Sequence, residues 1–249
     1  MQPSTPTMVL VHGAWHDERC WGDVTAQLDL RRVPWATLTL PSTDPGDDLP
    51  GFAADVAAVV DRIERIDGNV TLCGHGYGGM VISEVGNHPQ VSRLVYLAAY
   101  CPRPGESVLD LAARISRCPP LLLAPGDGRM RIGRAQAQRL LYSDLGRAQA
   151  ADKAALLRPS TAAIYRARST NPAWVTKEAT YVLCRRDRVI RPSRARRMAD
   201  RVARSQIATG RAATHLAVLG TGHSPFFSAP GHVAALLANP SRRGAAVGG

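Results

Sequence analysis

Short runs of apolar, often β-branched residues alternate along the chain with longer stretches in which apolar residues recur every three or four positions. This is the pattern of a largely parallel sheet covered by helices. Residues 7–11, 35–40, 70–73, 93–99, 180–184 and 215–219 read as strands, and residues 21–30, 52–66, 79–86, 194–204 and 232–238 as helices. Right-handed crossovers then stack the strands into one sheet, whose carboxyl-terminal edge is the default place for a site. From residue 102 to 176 the alternation stops. Arg-rich helical pieces at 132–141 and 148–157 stand there between breaks at Pro119-Pro120 and Pro159. A segment inserted after the strand ending at Ala99 is expected to lie over that edge as a small cap. Residues 240–249 read as a disordered tail.

Composition narrows the class. With 249 residues, 45% of them hydrophobic, the chain is expected to fold as a single α/β domain. The net charge of +11 is uneven: residues 1–100 carry 6 basic and 12 acidic groups, residues 101–211 carry 23 and 8. The excess is almost all Arg, scattered along helices without interleaved aromatic residues, so it reads as a solvated surface and no nucleic acid partner is expected. No apolar run of membrane-spanning length and no signal-peptide pattern is present, so a cytoplasmic protein without a membrane partner, monomer or homodimer, is expected. Five scattered cysteines (Cys20, Cys73, Cys101, Cys118 and Cys184) form no C-x-x-C pair and read as reduced, mostly buried thiols. No phosphate-binding loop, dinucleotide fingerprint or metal-ligand cluster is present, so neither cofactor nor metal is expected.

The segment from Val70 to Gly79 (VTLCGHGYGG) runs from a buried strand through a glycine-rich turn into a helix. In the nucleophile-elbow pattern G-x-S-x-G, position 76 is the Ser, exposed on a strained backbone at the mouth of a helix. Here it is Gly76. Downstream, Asp187 follows a strand and can orient an imidazole, and His223 follows the last strand on a loop at the same edge, in the chain order the pattern demands. The loop after the first strand (HGAWH, 12–16) brings the Ala14 N–H beside that of Tyr77, an oxyanion hole in prospect.

These stretches, with VLVHGAWH at 9–16, GHGYGGMVI at 74–82, LVYLAAYCP at 94–102, YVLCRRDRVIRP at 181–192 and GHSPFFSAP at 222–230, resemble the α/β-hydrolase superfamily. Within it they resemble the methylesterase and hydroxynitrile lyase branch. The resemblance covers almost the whole chain. It implies the α/β-hydrolase fold, with Asp187 as triad acid, His223 as triad base, and Ala14 and Tyr77 as oxyanion donors. His12, Trp15, His16, Asp17, Glu18 and His75 are expected to line the substrate pocket. His12 and His16 are also readable as loop supports, Asp17 and Glu18 as solvated acids, and Cys73, Cys101 and Ser83 as structural rather than substitute nucleophiles. The chain departs from the pattern at Gly76 and at Asp17-Glu18-Arg19.

Without an Oγ at position 76 no acyl-enzyme can form there. A His-Asp base beside an oxyanion hole can still abstract a proton and hold an enolate. The leading expectation is therefore a cofactor-independent enzyme for cyclisation, decarboxylation, elimination or retro-aldol chemistry on a small carbonyl metabolite, polyketide-like compounds among them. The alternatives are an ester or lactone hydrolase, acting through activated water or with Ser natural at 76, and a ligand-binding protein without turnover.

Overall fold

The computed structural model describes residues 5–113, 126–208, 210 and 215–239. Cys118, Pro119-Pro120 and the tail at 240–249 lie outside them. In chain order the elements are β1 (Thr7–Val11), α1 (Gly22–Asp29), β2 (Trp35–Thr37), α2 (Phe52–Glu64), β3 (Val70–Gly76), α3 (Gly78–Val85), β4 (Val91–Ala99) and α4 (Val108–Ala113). They continue with β5 (Arg129–Met130), α5 (Arg134–Leu140), α6 (Arg147–Ala155), β6 (Ser160–Thr161), β7 (Glu178–Cys184), α7 (Pro192–Ala208), β8 (His215–Leu219), α8 (Pro225–Ser228) and α9 (Pro230–Ala238).

Six strands form one sheet in the order β2-β1-β3-β4-β7-β8, and every neighbouring pair is parallel. Strand periodicity sends alternate side chains to opposite faces. Val9, Leu72, Leu94, Tyr96 and Tyr181 pack on one face with α2, α3 and α7. Met8, Leu10, Cys73, Val95, Leu97 and Val182 pack on the other with α1 and α9. Strands buried on both faces read as continuous apolar runs, as these do. The sheet's parallel sense brings the carboxyl ends of β1, β3, β7 and β8 to a single edge.

The structure corrects several element bounds. Strand β2 stops at Thr37 rather than residue 40, because beyond it the backbone turns to meet His12: the Leu40 N–H donates to His12 Nε2 at 2.9 Å. Helix α7 starts at Pro192 and runs to Ala208, proline being well suited to the first helical turn. Strand β3 continues through the glycines to Gly76. Segment 102–176 holds α4, α5, α6 and a small antiparallel β5-β6 pair. The described thiols of Cys20, Cys73, Cys101 and Cys184 are buried and unbridged. No described helix is long and apolar enough to cross a membrane.

Candidate active site

The turn from β3 into α3 sets the site. Gly76 has φ +51, the left-handed region in which glycine costs nothing and other residues are strained. On the neighbouring strand Ala98 also has positive φ, 44, where the β3–β4 register slips between His75 and Gly76. A Cβ on Gly74 would lie 2.5 Å from the Gly78 carbonyl oxygen, so the tight reversal admits no side chain there. At Gly76 the surroundings are different. A Cβ there would meet nothing closer than His223 Nε2, at 3.5 Å. The backbone thus has the form of the elbow, and the direction its side chain would take leads to the imidazole.

His223 and Asp187 meet as expected. The imidazole Nδ1 donates to Asp187 Oδ2 at 2.9 Å, with both side chains at most 5% exposed. The other carboxylate oxygen of Asp187 accepts from the Val189 and Ile190 N–H groups at 2.7 and 2.9 Å, which fixes its direction. Nε2 of His223 is left facing the cavity. The His223 carbonyl is anchored as well: His75 Nε2 donates to it at 2.9 Å.

A cavity of about 60 Å³ opens in front of this pair, lined by Ala14, Gly76, Tyr77, Tyr165 and His223 among others. Its walls are mostly apolar, and a water molecule needs roughly 10–15 Å³ by this measure, so it holds a few waters or a small acyl group. The Ala14 and Tyr77 N–H groups donate to no protein acceptor among the described residues. Trp15, next to Ala14, is held at φ 65. Its N–H donates to Ser160 Oγ at 2.9 Å, its carbonyl accepts from Arg158 N–H at 2.8 Å, and its indole donates to the Met130 carbonyl at 3.2 Å. Segment 102–176 therefore clamps the loop that carries Ala14.

Of the expected pocket residues, Trp15, His16 and His75 do line this cavity, and His12, Asp17 and Glu18 do not. His12 faces away and ties two loops, with Nδ1 donating to the Gly13 carbonyl and Nε2 accepting from Leu40 N–H, both at 2.9 Å. Asp17 caps the short helix after it and pairs with Arg19 at 2.5 Å. Glu18 accepts from Thr37 Oγ1 on the outer surface. Sequence adjacency to the loop hid these directions. His12, His16 and His75 are all held neutral: burial pushes His12 down to about 4 and His16 down to about 3, and drives His75 well below its usual value. For His16 and His75 the neighbouring His223 adds to the effect. Burial raises the Cys73 thiol and pushes Cys101 up to about 12, and Ser83 donates back to the Gly79 carbonyl at 2.7 Å, so none of the three is poised to attack. Among the described residues no cluster of three or more His, Cys, Asp or Glu side chains is arranged to hold a metal ion.

Three residues were missed in the sequence. Asp55, on α2, accepts from Tyr77 OH and Ser42 Oγ at 2.7 Å each and from Ser42 N–H at 2.9 Å, so it fixes Tyr77 beside the cavity. Burial raises its carboxyl against these hydrogen bonds. A lone acid in the otherwise apolar first turns of FAADVAAVV was its one available signal. Asp144 accepts from Gly222 N–H at 2.6 Å and holds the loop of His223. Tyr142 OH donates to His16 Nε2 at 3.0 Å.

Comparison with known proteins agrees with this architecture. Residues 8–236 match the Alpha/beta hydrolase family, and the chain belongs to it. A carbendazim hydrolyzing esterase of Nocardioides sp. (strain SG-4G) is 38% identical over 114 residues, 41% of this chain and 46% of that protein, so the match spans under half of that esterase. A probable hydrolase R7 of Phoma sp. (strain ATCC 20986 / MF5453) is 29% identical over 90% of this chain and 93% of its own. In structure, an extracellular alpha/beta-hydrolase from a Paenibacillus species superposes with TM-score 0.81 at 19% identity, covering 95% of this chain and 99% of that one.

Proposed function

We propose that the chain hydrolyses a small ester or similar acyl compound in one step, with water in place of a serine nucleophile. The observation that carries this reading is the line from Asp187 through His223 Nε2 to the open side of Gly76. His223 takes a proton from a water standing there as its oxygen attacks the substrate carbonyl. The tetrahedral oxyanion is held by the Ala14 and Tyr77 N–H groups. As it collapses, His223 returns the proton to the departing alkoxide, giving acid and alcohol with no covalent intermediate. Gly76 is read as the nucleophile position of a methylesterase-like site. The carbendazim esterase and the probable hydrolase support hydrolysis over the enolate chemistry that the same base could perform, and no cofactor enters the scheme.

The test is ester turnover by the natural chain with a panel of small aryl and methyl esters. Steady release without a burst, lost in His223→Ala, and no labelling by a fluorophosphonate, is the expected result. The Gly76→Ser variant is expected to label. Conversion of a β-keto acid with no ester cleaved would select enolate chemistry instead. Binding of esters without turnover by the natural chain would overturn the reading in favour of a binder.

A further inference from the structure

Behind one wall of the apolar cavity lies a second and larger one. It is a surface groove of about 320 Å³ lined by Tyr100, by the exposed Arg103, Arg197 and Arg204 and by the half-buried Arg194 and Arg201. Residues 194, 197, 201 and 204 recur at helical spacing and form one stripe along α7, which Arg103 faces from the loop after β4. Arg201 is committed: it pairs with Glu106 at 3.1 Å, donates to the Cys101 carbonyl, and lies against the Trp174 ring. Among the described residues, Arg103, Arg194, Arg197 and Arg204 have no carboxylate partner, and Glu106 is the one acid shown on this group. Guanidinium groups gathered along one groove can offer a carboxylate or phosphate bidentate hydrogen bonds.

The two cavities share a partition. Tyr100 lines both. Ala112 faces the apolar cavity and Leu111 the basic one, and likewise Val189 and Ile190 divide between them. Val189 and Ile190 are the residues whose N–H groups hold Asp187. The two cavities thus adjoin across these residues.

We propose that the arginine cavity is the subsite for an anionic tail, phosphate or carboxylate, on the substrate whose carbonyl enters the apolar cavity. This rests on the hydrolytic reading for the carbonyl end, but the charged subsite is read by binding alone. It turns the excess positive charge of the second half of the chain from general surface into a selecting device.

The test uses matched, non-hydrolysable ketones on the natural chain, by calorimetry at low salt: 5-oxohexyl phosphate, 6-oxoheptanoate and neutral 6-hydroxyhexan-2-one. At least one charged ketone is expected to bind about tenfold or more tightly than the neutral one, equivalent to roughly 1.4 kcal/mol. Which one gains tells phosphate from carboxylate. An Arg197→Glu/Arg204→Glu variant is expected to lose that preference while keeping its affinity for the neutral ketone. Ala112→Leu, which narrows the apolar cavity, is expected to weaken the charged ketone and leave inorganic phosphate binding unchanged. Equal affinity of all three ketones, or a preference that survives the double variant, overturns the subsite. Charged-ketone binding that Ala112→Leu leaves unchanged overturns the link between the cavities. A chain that never cleaves an ester but shows the Arg-dependent preference fails only the hydrolytic reading.

Discussion

The inner wall of the apolar cavity is made from the ends of β1, β3 and β8 and is fixed by short-range geometry: a left-handed glycine, backbone packed on backbone, and the packed rings of His16, His75, His223 and Phe226. The outer wall comes from the described residues of 102–176 and meets the inner one through ring packing, Trp15 on Tyr165 and Phe227 on Tyr142, and through polar contacts between distant residues, Trp15 with Ser160, His16 with Tyr142, and Gly222 with Asp144. The first wall is set by backbone geometry, the second by packing between residues far apart in the chain and by individual hydrogen bonds. Damage to the first should therefore appear as lost chemistry or lost stability, and damage to the second as a displaced loop on an intact fold.

The sharpest way to break the contrast is His223→Ala on the inner wall. Ester turnover is expected to fall by about 10²–10⁴-fold, the usual contribution of a positioned base, while the thermal midpoint moves little.

Acid should strike the inner wall next. The buried states of His12 and His16 have their pKa lowered to about 4 and about 3 from 6.5, and His75 is lowered as well. The unfolded chain then binds protons that the native chain refuses. Stability is complete above about pH 6.5 and declines as pH falls toward 4 and 3. One pKa unit corresponds to about 1.4 kcal/mol, so urea midpoints are expected to fall steeply between pH 6.5 and 4. A flat profile across that window would show that the imidazoles are hydrated in solution.

Smaller effects sharpen the comparison. Gly74→Ala must push the Gly78 carbonyl aside and is expected to cost about 1–3 kcal/mol of stability, read by denaturant unfolding. Asp144→Ala on the outer wall leaves the buried Gly222 N–H without its acceptor, a loss of about 1–3 kcal/mol at most. Its signature should be kinetic: kcat for ester cleavage drops more than the unfolding midpoint explains, because the His223 loop is released. If Asp144→Ala lowered only stability, the outer wall would be packing and not positioning.

This division also explains what could be read in advance. β1 and β8 were legible to the residue because alternation and flanking turns are local signals. The meeting of Asp187 with His223 and the placing of Ala14 and Tyr77 on the same cavity were legible because each residue follows a strand at the same sheet edge, in a fixed chain order. Ser160 and Asp144 gave no such signal. Their partners lie 145 and 78 residues away, beyond the reach of a local pattern. The erroneous placing of Asp17 and Glu18 in the pocket has the same origin, since chain neighbours of a pocket residue need not face the same way. The basic cavity was half visible: the Arg excess was plain in the sequence, but its gathering against Arg103 depends on tertiary packing.

The left-handed backbone at position 76 has a further, evolutionary meaning. A glycine codon of the GGT or GGC type is one base away from serine, and the turn already has the shape a serine would be forced into. Glycine relieves a strain of about 1–3 kcal/mol that a side chain would store there. On the hydrolytic reading proposed above, a single base change at this locus exchanges a relaxed turn for a covalent nucleophile without rebuilding anything around it.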